Sequence, residues 1–271
     1  MLLTIAGEAA YCYTGGKAFD AALPTVVFIH GAQNDHSVWA LQTRYFAHHG
    51  FGVLAVDLPG HGRSKGAPLA SVELMADWLL AVLDAAGVGS ATLIGHSMGS
   101  LVALETCRRA PARVSKLGLV GTAYPMKVSD LLLNAARDAE PTAIDMVNIW
   151  SHSVLAPKPS FPGPGFSVMD GSKRLMQRIS AQNPAKVFHT DFTACNAWTG
   201  GEAAAEVAVV AQCPVLFLLG KRDMMTPPKA SSILIKAIPH AQVSQLEQCG
   251  HDLMGEQADA VLTALFGFAR Q

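Results

Sequence analysis

Short apolar runs rich in β-branched residues recur along this chain, and longer stretches of helical periodicity separate them. Thr25–Ile29 is followed by an amphipathic stretch from Ser37 to His49, Val53–Val56 by Ser71–Ala86, and Ala91–Ile94 by Ser100–Ala110. Leu117–Val120, Pro214–Leu219 and Val243–Leu246 continue the series, and a helical pattern from Asp252 to about Phe268 closes it. Brief apolar runs of this kind read as strands buried on both faces. In the 71–86 stretch Ser71 is a suitable N-cap, and Leu74, Trp78, Leu79 and Val82 are expected to share one helix face. Strands alternating with helices need right-handed crossovers. The pattern therefore predicts an α/β fold: a mostly parallel, doubly wound sheet with helices on both faces. Leu3–Tyr13 is expected to add antiparallel strands at an edge.

The alternation breaks between about residues 122 and 206, which read as helical and rich in Met, Ala and Trp. The expected division is a core of residues 1–121 and 207–271, interrupted by a helical cap over residues 122–206. Such an insertion lies over the C-terminal edge of the sheet, where ligands of open α/β sheets bind. Ala156–Gly165 carries four prolines, which forbid regular helix or central strand. It reads either as a passive connection or as a loop that gates access.

Composition narrows the function classes. A hydrophobic fraction of 50% with 15% charged residues supports a large core and argues against disorder. A formal net charge of −1 is unsuited to tracking a phosphate backbone, so no nucleic-acid partner is expected. The five cysteines are odd in number, scattered and never spaced C-x-x-C, which argues against a disulfide framework or a zinc site and for a reducing compartment. The N-terminal residues lack a basic n-region, and Glu8 interrupts their short apolar run. No apolar stretch reaches the ~18 residues of a membrane helix. The expectation is a cytoplasmic protein, monomeric or homodimeric, with a small-molecule substrate and no membrane partner.

Gly95-His96-Ser97-Met98-Gly99 is the G-x-S-x-G of this chain, and it lies between the Ala91–Ile94 strand and the following helix. A serine on a sharp strand-to-helix turn lifts its hydroxyl above the sheet, and small flanking residues permit that turn. The helix that begins there aims its N–H groups and positive end at the same point, which suits an oxyanion. Ser97 is thus the candidate nucleophile.

Several separate segments resemble the α/β-hydrolase superfamily, in its serine branch with a helical cap. Val27-Phe28-Ile29-His30-Gly31 resembles the family strand that ends in His-Gly, and Asp57-Leu58-Pro59-Gly60-His61-Gly62-Arg63-Ser64 resembles its D-x-P-G-x-G-x-S turn. Gly95–Gly99 matches the nucleophile elbow. Leu219–Asp223 with Pro227 resembles the segment carrying the acid, and Gly250-His251 the segment carrying the base. The order Ser, Asp, His is the family's own. The resemblance implies no metal and no organic cofactor.

The chemistry is also legible residue by residue. A serine hydroxyl needs a base, and histidine, with an unperturbed pKa of ~6.5, suits that task. His251 follows a strand and Gly250, which puts it on a loop at the sheet edge that carries Ser97. The base needs a carboxylate to fix its tautomer and stabilise the imidazolium. Asp223 follows the apolar run ending at Leu219, on a loop stiffened by Thr226-Pro227-Pro228. Asp252 adjoins His251, but a neighbour in a tight loop rarely points back at the ring, and Asp57 reads as a turn residue. Met98 N–H, directly after the nucleophile, is one expected oxyanion donor; by resemblance the other is Ala32 N–H. His96 is assigned to packing or to support of the residues around it. Gly60–Gly66 lacks the phosphate-binding spacings and reads as a structural turn.

Candidate substrate-binding residues are Tyr124, Met126, Trp150, His152 and Trp198, with Met169 and Phe192 beside them. Large side chains of this type line apolar pockets or form cap cores. The reading that follows is a carboxylic-ester hydrolase for small to medium, mostly apolar substrates. Alternatives are C–C bond, lactone or thioester hydrolysis and perhydrolysis in the same fold, or a ligand-binding module with slow turnover. A serine in the elbow argues against dehalogenases and epoxide hydrolases, which by resemblance carry aspartate there.

Overall fold

The computed structural model of the chain describes residues 1–153 and 167–271. The Ala156–Gly165 loop, and with it the gating question, lies outside the described residues. In chain order the elements are β1 Leu2–Ile5, β2 Glu8–Tyr13, β3 Thr25–Ile29, α1 Ala40–His48, β4 Gly52–Val56, α2 Val72–Ala85, β5 Ala91–His96, α3 Met98–Arg109 and β6 Val114–Val120. There follow α4 Asp130–Asp138, α5 Glu140–Ser151, α6 Val168–Gln182, α7 Val187–Ala197 and α8 Gly201–Val210. The chain closes with β7 Val215–Gly220, α9 Ser232–Ala237, β8 Gln242–Leu246, α10 Leu253–Glu256 and α11 Ala258–Ala269.

The strands form one sheet in the order β1-β2-β4-β3-β5-β6-β7-β8. β1 and β2 are the antiparallel edge, while β4, β3, β5, β6, β7 and β8 run parallel. β3 sits between β4 and β5, so the winding direction reverses beside it, and Ile29 lies in register with Gly95. The segments leaving β3 and β5 therefore emerge side by side at the switch point where ligands of such sheets bind.

β3, β4, β5 and β7 are buried along their whole length because helices cover both faces. Val27, Leu54, Leu93, Leu117 and Phe217 pack against α2, α3 and α8 in one core cluster. Val26, Phe28, Val53, Ile94 and Leu218 pack with α1 and α11 in the other. The Ser71 hydroxyl caps α2 by accepting from Leu74 N–H at 3.2 Å. The buried face of α2 differs from the expected one: Leu74 is 49% exposed. Met75, Ala76, Leu79, Val82 and Leu83 point inward instead. The closing helical pattern divides into α10 and α11.

Among the described residues, five helices, α4 to α8, lie between β6 and β7. Leu132, Ala136, Ile144, Met176, Phe188 and Phe192 from α4 to α7 make a small core of their own. Ala204, Ala205 and Ala208 of α8 belong to the cluster under the sheet. No described helix is long and apolar enough to cross a membrane.

Candidate active site

Ser97 occupies the turn between β5 and α3 with φ 51° and ψ −118°. A non-glycine residue in this region is strained and persists only where its surroundings over-determine it. Here Ser97 N–H donates to Val120 O at 2.9 Å. The flanking glycines are required by contact. A Cβ on Gly95 would lie 2.0 Å from Gly99 O, and one on Gly99 would lie 2.4 Å from Ile29 O and 2.7 Å from His30 O. The elbow is thus packed backbone to backbone, with no room for a methyl group. Met98 is the first residue of α3, so its N–H is among those with no intrahelical acceptor. The Met98 side chain is buried in the core below.

Asp223 and His251 meet from separate loops. His251 Nδ1 lies 2.7 Å from Asp223 Oδ2. The other carboxylate oxygen, Oδ1, accepts from Met225 N–H at 2.8 Å and Thr226 N–H at 2.7 Å. Burial by itself pushes the Asp223 pKa up, but the facing His251 and the Thr226 donors outweigh it and hold the carboxyl below its ordinary value. The Thr226 hydroxyl is 2.7 Å from Asp223 Oδ2, 2.9 Å from Gly121 O and 3.0 Å from His251 Nδ1. In the sequence Thr226 reads only as part of a stiff loop. Its position three residues after the carboxylate was the available signal.

The loop bearing His251 is tied to the end of α5. His251 N–H and Asp252 N–H both donate to Ser151 O, at 2.7 and 3.0 Å. Glu256 bridges the same two segments: it accepts from Gly250 N–H at 2.9 Å and from Ser153 N–H at 3.0 Å. Burial lifts the Glu256 pKa to about 7. Asp252 turns away from its neighbour's ring and accepts from His152 Nε2 at 3.1 Å. His96, directly before Ser97, donates from Nε2 to His251 O at 2.9 Å. Burial, reinforced by His251, lowers the His96 pKa to about 4, so its ring is neutral. None of these supports was anticipated except that of His96.

A cavity of about 600 Å³ opens beside these residues, within the usual range for small-molecule sites. Ser97, His251, Ala32 and Gly31 share its wall with Val38, Leu41, Val147, Leu175, Met176, Phe192, Met225 and Met254. Arg174 and Arg178 also line it; Arg174 pairs with Asp170 and Arg178 with Asp35. Phe192 is thus on the wall as expected.

Tyr124, Met126, Trp150, His152 and Trp198 are placed elsewhere. Tyr124 and Trp198 stack edge to face at 5.6 Å, and their polar ends are engaged by Thr199 O and Glu105. Met126 belongs to the main core and Trp150 packs on the small helical one. His152 donates to Asn148 O at 2.7 Å and to Asp252, so both ring nitrogens serve the loop. Met169 is 40% exposed. Tyr124, Met126, His152 and Trp198 are drawn inward by packing, which their size alone does not reveal.

Asp35, His36 and Asp57 bring potential metal-ligating atoms within 4.8 Å of one another. Their atoms are engaged in holding the turn: Asp57 accepts from His36 N–H, His36 Nδ1 and Arg63 N–H, and Asp35 accepts from Ser37 and Arg178.

Residues 24–258 match the alpha/beta hydrolase fold family. A putative carbamate hydrolase, RutD, of Klebsiella pneumoniae is 27% identical over 258 residues, covering 89% of this chain and 90% of that one. A 2-hydroxy-6-oxononadienedioate/2-hydroxy-6-oxononatrienedioate hydrolase of Burkholderia vietnamiensis is 26% identical over 264 residues, covering 91% and 87%. Among solved structures, an esterase from Exiguobacterium antarcticum superposes with TM-score 0.82 at 17% identity, covering 100% of this chain and 99% of that one. The enol-lactonase from Burkholderia xenovorans LB400 gives TM-score 0.80 at 19% identity, with both chains fully covered.

Proposed function

The chain belongs to the alpha/beta hydrolase fold family, and on that premise we propose that it is a serine hydrolase cleaving carboxylic esters of small to medium, mostly apolar substrates through an acyl-enzyme on Ser97. The observation that carries this reading is the 2.7 Å contact of Asp223 Oδ2 with Nδ1 of His251, a residue that shares the cavity wall with Ser97. With Nδ1–H directed at the carboxylate, Nε2 is the basic nitrogen. It removes the Ser97 proton as the hydroxyl oxygen attacks the ester carbonyl. The oxyanion that forms is held by Met98 N–H and Ala32 N–H. His251 then protonates the departing alkoxide, and a water activated by the same ring releases the acid. Asp223 stabilises the imidazolium at both stages. Helices α4 to α7, within the segment 122–206, act as the cap, and the apolar wall contributed by α5 and α6 binds the acyl or alkyl group.

A second reading, cleavage of a lactone or C–C bond in a substrate bearing a carboxylate, is favoured by Arg174 and Arg178, two cationic residues that line the cavity and would have to exchange Asp170 and Asp35 for the substrate. Hydrolysis of a graded series of p-nitrophenyl esters by the wild type and by Ser97→Ala tests the first reading. Multiple turnover that disappears in the variant is expected. A folded wild type that turns over no ester would overturn it and move the weight to the second.

A further inference from the structure

The Gly31-Ala32-Gln33 segment is fixed from both sides by buried groups. Gly31 C=O and Ala32 N–H belong to one planar trans peptide, so whatever orients the carbonyl aims the N–H the opposite way. His30 Nδ1 donates to Gly31 O at 2.8 Å, while His30 Nε2 accepts from Leu58 N–H at 3.1 Å. Burial, reinforced by His61, lowers the His30 pKa to about 4, which keeps this ring neutral and its tautomer single. The next peptide is held from a distance. Gln33 N–H donates to Asp191 Oδ2 at 2.9 Å, across 158 residues of sequence. Gln33 has φ 56°, a left-handed conformation that a non-glycine residue adopts only under constraint. Its side chain is held by α6, through Met176 O at 3.0 Å and Ser180 Oγ at 2.7 Å.

The same Asp191 oxygen accepts from His61 Nε2 at 2.9 Å, and His61 Nδ1 faces Pro59 O at 3.1 Å. Both ring nitrogens face acceptors, so both carry protons and His61 is an imidazolium. Burial works against that charge, but the Asp191 carboxylate overcomes it and raises the His61 pKa. His61 and Asp191 are 1% and 0% exposed. An ion pair this deep costs more to desolvate than an apolar pair of similar volume. Core cohesion is therefore a poor account of a carboxylate sent inward from α7, whereas a backbone N–H that must be held in place needs an acceptor.

We propose that Asp191 is a positioning residue for the oxyanion hole: one oxygen, clamped by His61, holds the Ala32–Gln33 peptide while His30 holds the Gly31–Ala32 peptide, so that α7 must be seated for Ala32 N–H to point at the developing charge. This rests on the proposed role of Ala32. Asp191 touches no substrate; it acts through the backbone.

The test compares wild type with Asp191→Ala, Asp191→Asn and the double variant His61→Leu/Asp191→Leu, which replaces the whole buried pair with apolar groups and keeps the fold measurable if the alanine variant does not fold. Readouts are kcat and KM on the best p-nitrophenyl ester, affinity for phenylboronic acid, which forms a tetrahedral anion on a nucleophilic serine, and hydrogen exchange of residues 31–35. Loss of an oxyanion donor typically costs ~10²–10³ in rate, and a displaced donor should cost about 10- to 100-fold. The double variant should lose kcat by that factor with KM within about twofold, lose boronate affinity in parallel and exchange faster at 31–35. Asp191→Asn keeps an acceptor for Gln33 and should recover kcat to within about fivefold of wild type. Wild-type kcat, boronate affinity and exchange in a folded double variant would overturn the proposal, as would an asparagine variant no better than the apolar ones. If wild type neither hydrolyses esters nor reacts with a fluorophosphonate, the ester-hydrolase reading fails, and exchange decides this inference alone: faster in the variants upholds the clamp, unchanged overturns it.

Discussion

His96 Nε2 donates to the backbone carbonyl of His251 at 2.9 Å, so the residue before the proposed nucleophile holds the loop of the proposed base. The rings lie 4.7 Å apart, tilted by 44°. His96→Phe keeps a ring in this place and removes the donor. Loss of one such hydrogen bond is expected to lower kcat by about tenfold with little change in KM, because the base is misplaced and the binding wall is not. Since the His96 pKa is about 4, the ratio of wild-type to variant rates should stay constant between roughly pH 6 and 9. A ratio that varies across that window would contradict a His96 ring that stays neutral throughout it.

Asp223→Asn is expected to lower kcat by about 10³–10⁴, since an amide cannot stabilise the imidazolium and permits the wrong tautomer. Steady-state kinetics and the rate of fluorophosphonate labelling should fall together. A loss below tenfold in both would remove Asp223 from the proposed triad.

Gly99→Ala is expected to fold poorly or not at all. Its Cβ would meet Ile29 O at 2.4 Å and His30 O at 2.7 Å, and both obstacles are backbone of the central sheet. Overpacking of a core by a single methylene typically costs ~1–3 kcal/mol, and contact with immovable backbone should cost more than that. Thermal unfolding of purified protein checks this, and a variant as stable as wild type would contradict the packing of the elbow.

Glu256 contributes a pH dependence to stability. Its pKa rises on folding to about 7, and the cause is burial. Between about pH 4.5 and 7 the folded state therefore holds a proton that the unfolded chain has released, so stability falls as pH rises through this window and levels off above it. Glu256→Gln should flatten that slope in a series of melting temperatures. An equal slope in both proteins would place the titration elsewhere.

The mostly parallel sheet, the succession of strands and helices along the chain, and the segments that carry Ser97, Asp223 and His251 were all legible before any folding, whereas the order of strands within the sheet was not. These are local signals: a buried strand must be apolar along its length, an elbow must have small residues where backbones touch, and a loop residue after a strand must emerge at the sheet edge. Even the antiparallel edge of β1 and β2 was legible in this way. Tertiary structure alone decided which side chains face the cavity and what holds the loops in place. Leu74 satisfies the helical period yet lies outside, because α2 turns Met75 and Ala76 toward the sheet. Tyr124 and Trp198 were drawn inward onto each other and away from the cavity. Asp191 reaches Gln33 and His61 across 158 and 130 residues. Periodicity constrains a residue against its neighbours in the chain. It says nothing about which distant donor a carboxylate will meet, because that depends on how separately formed elements pack.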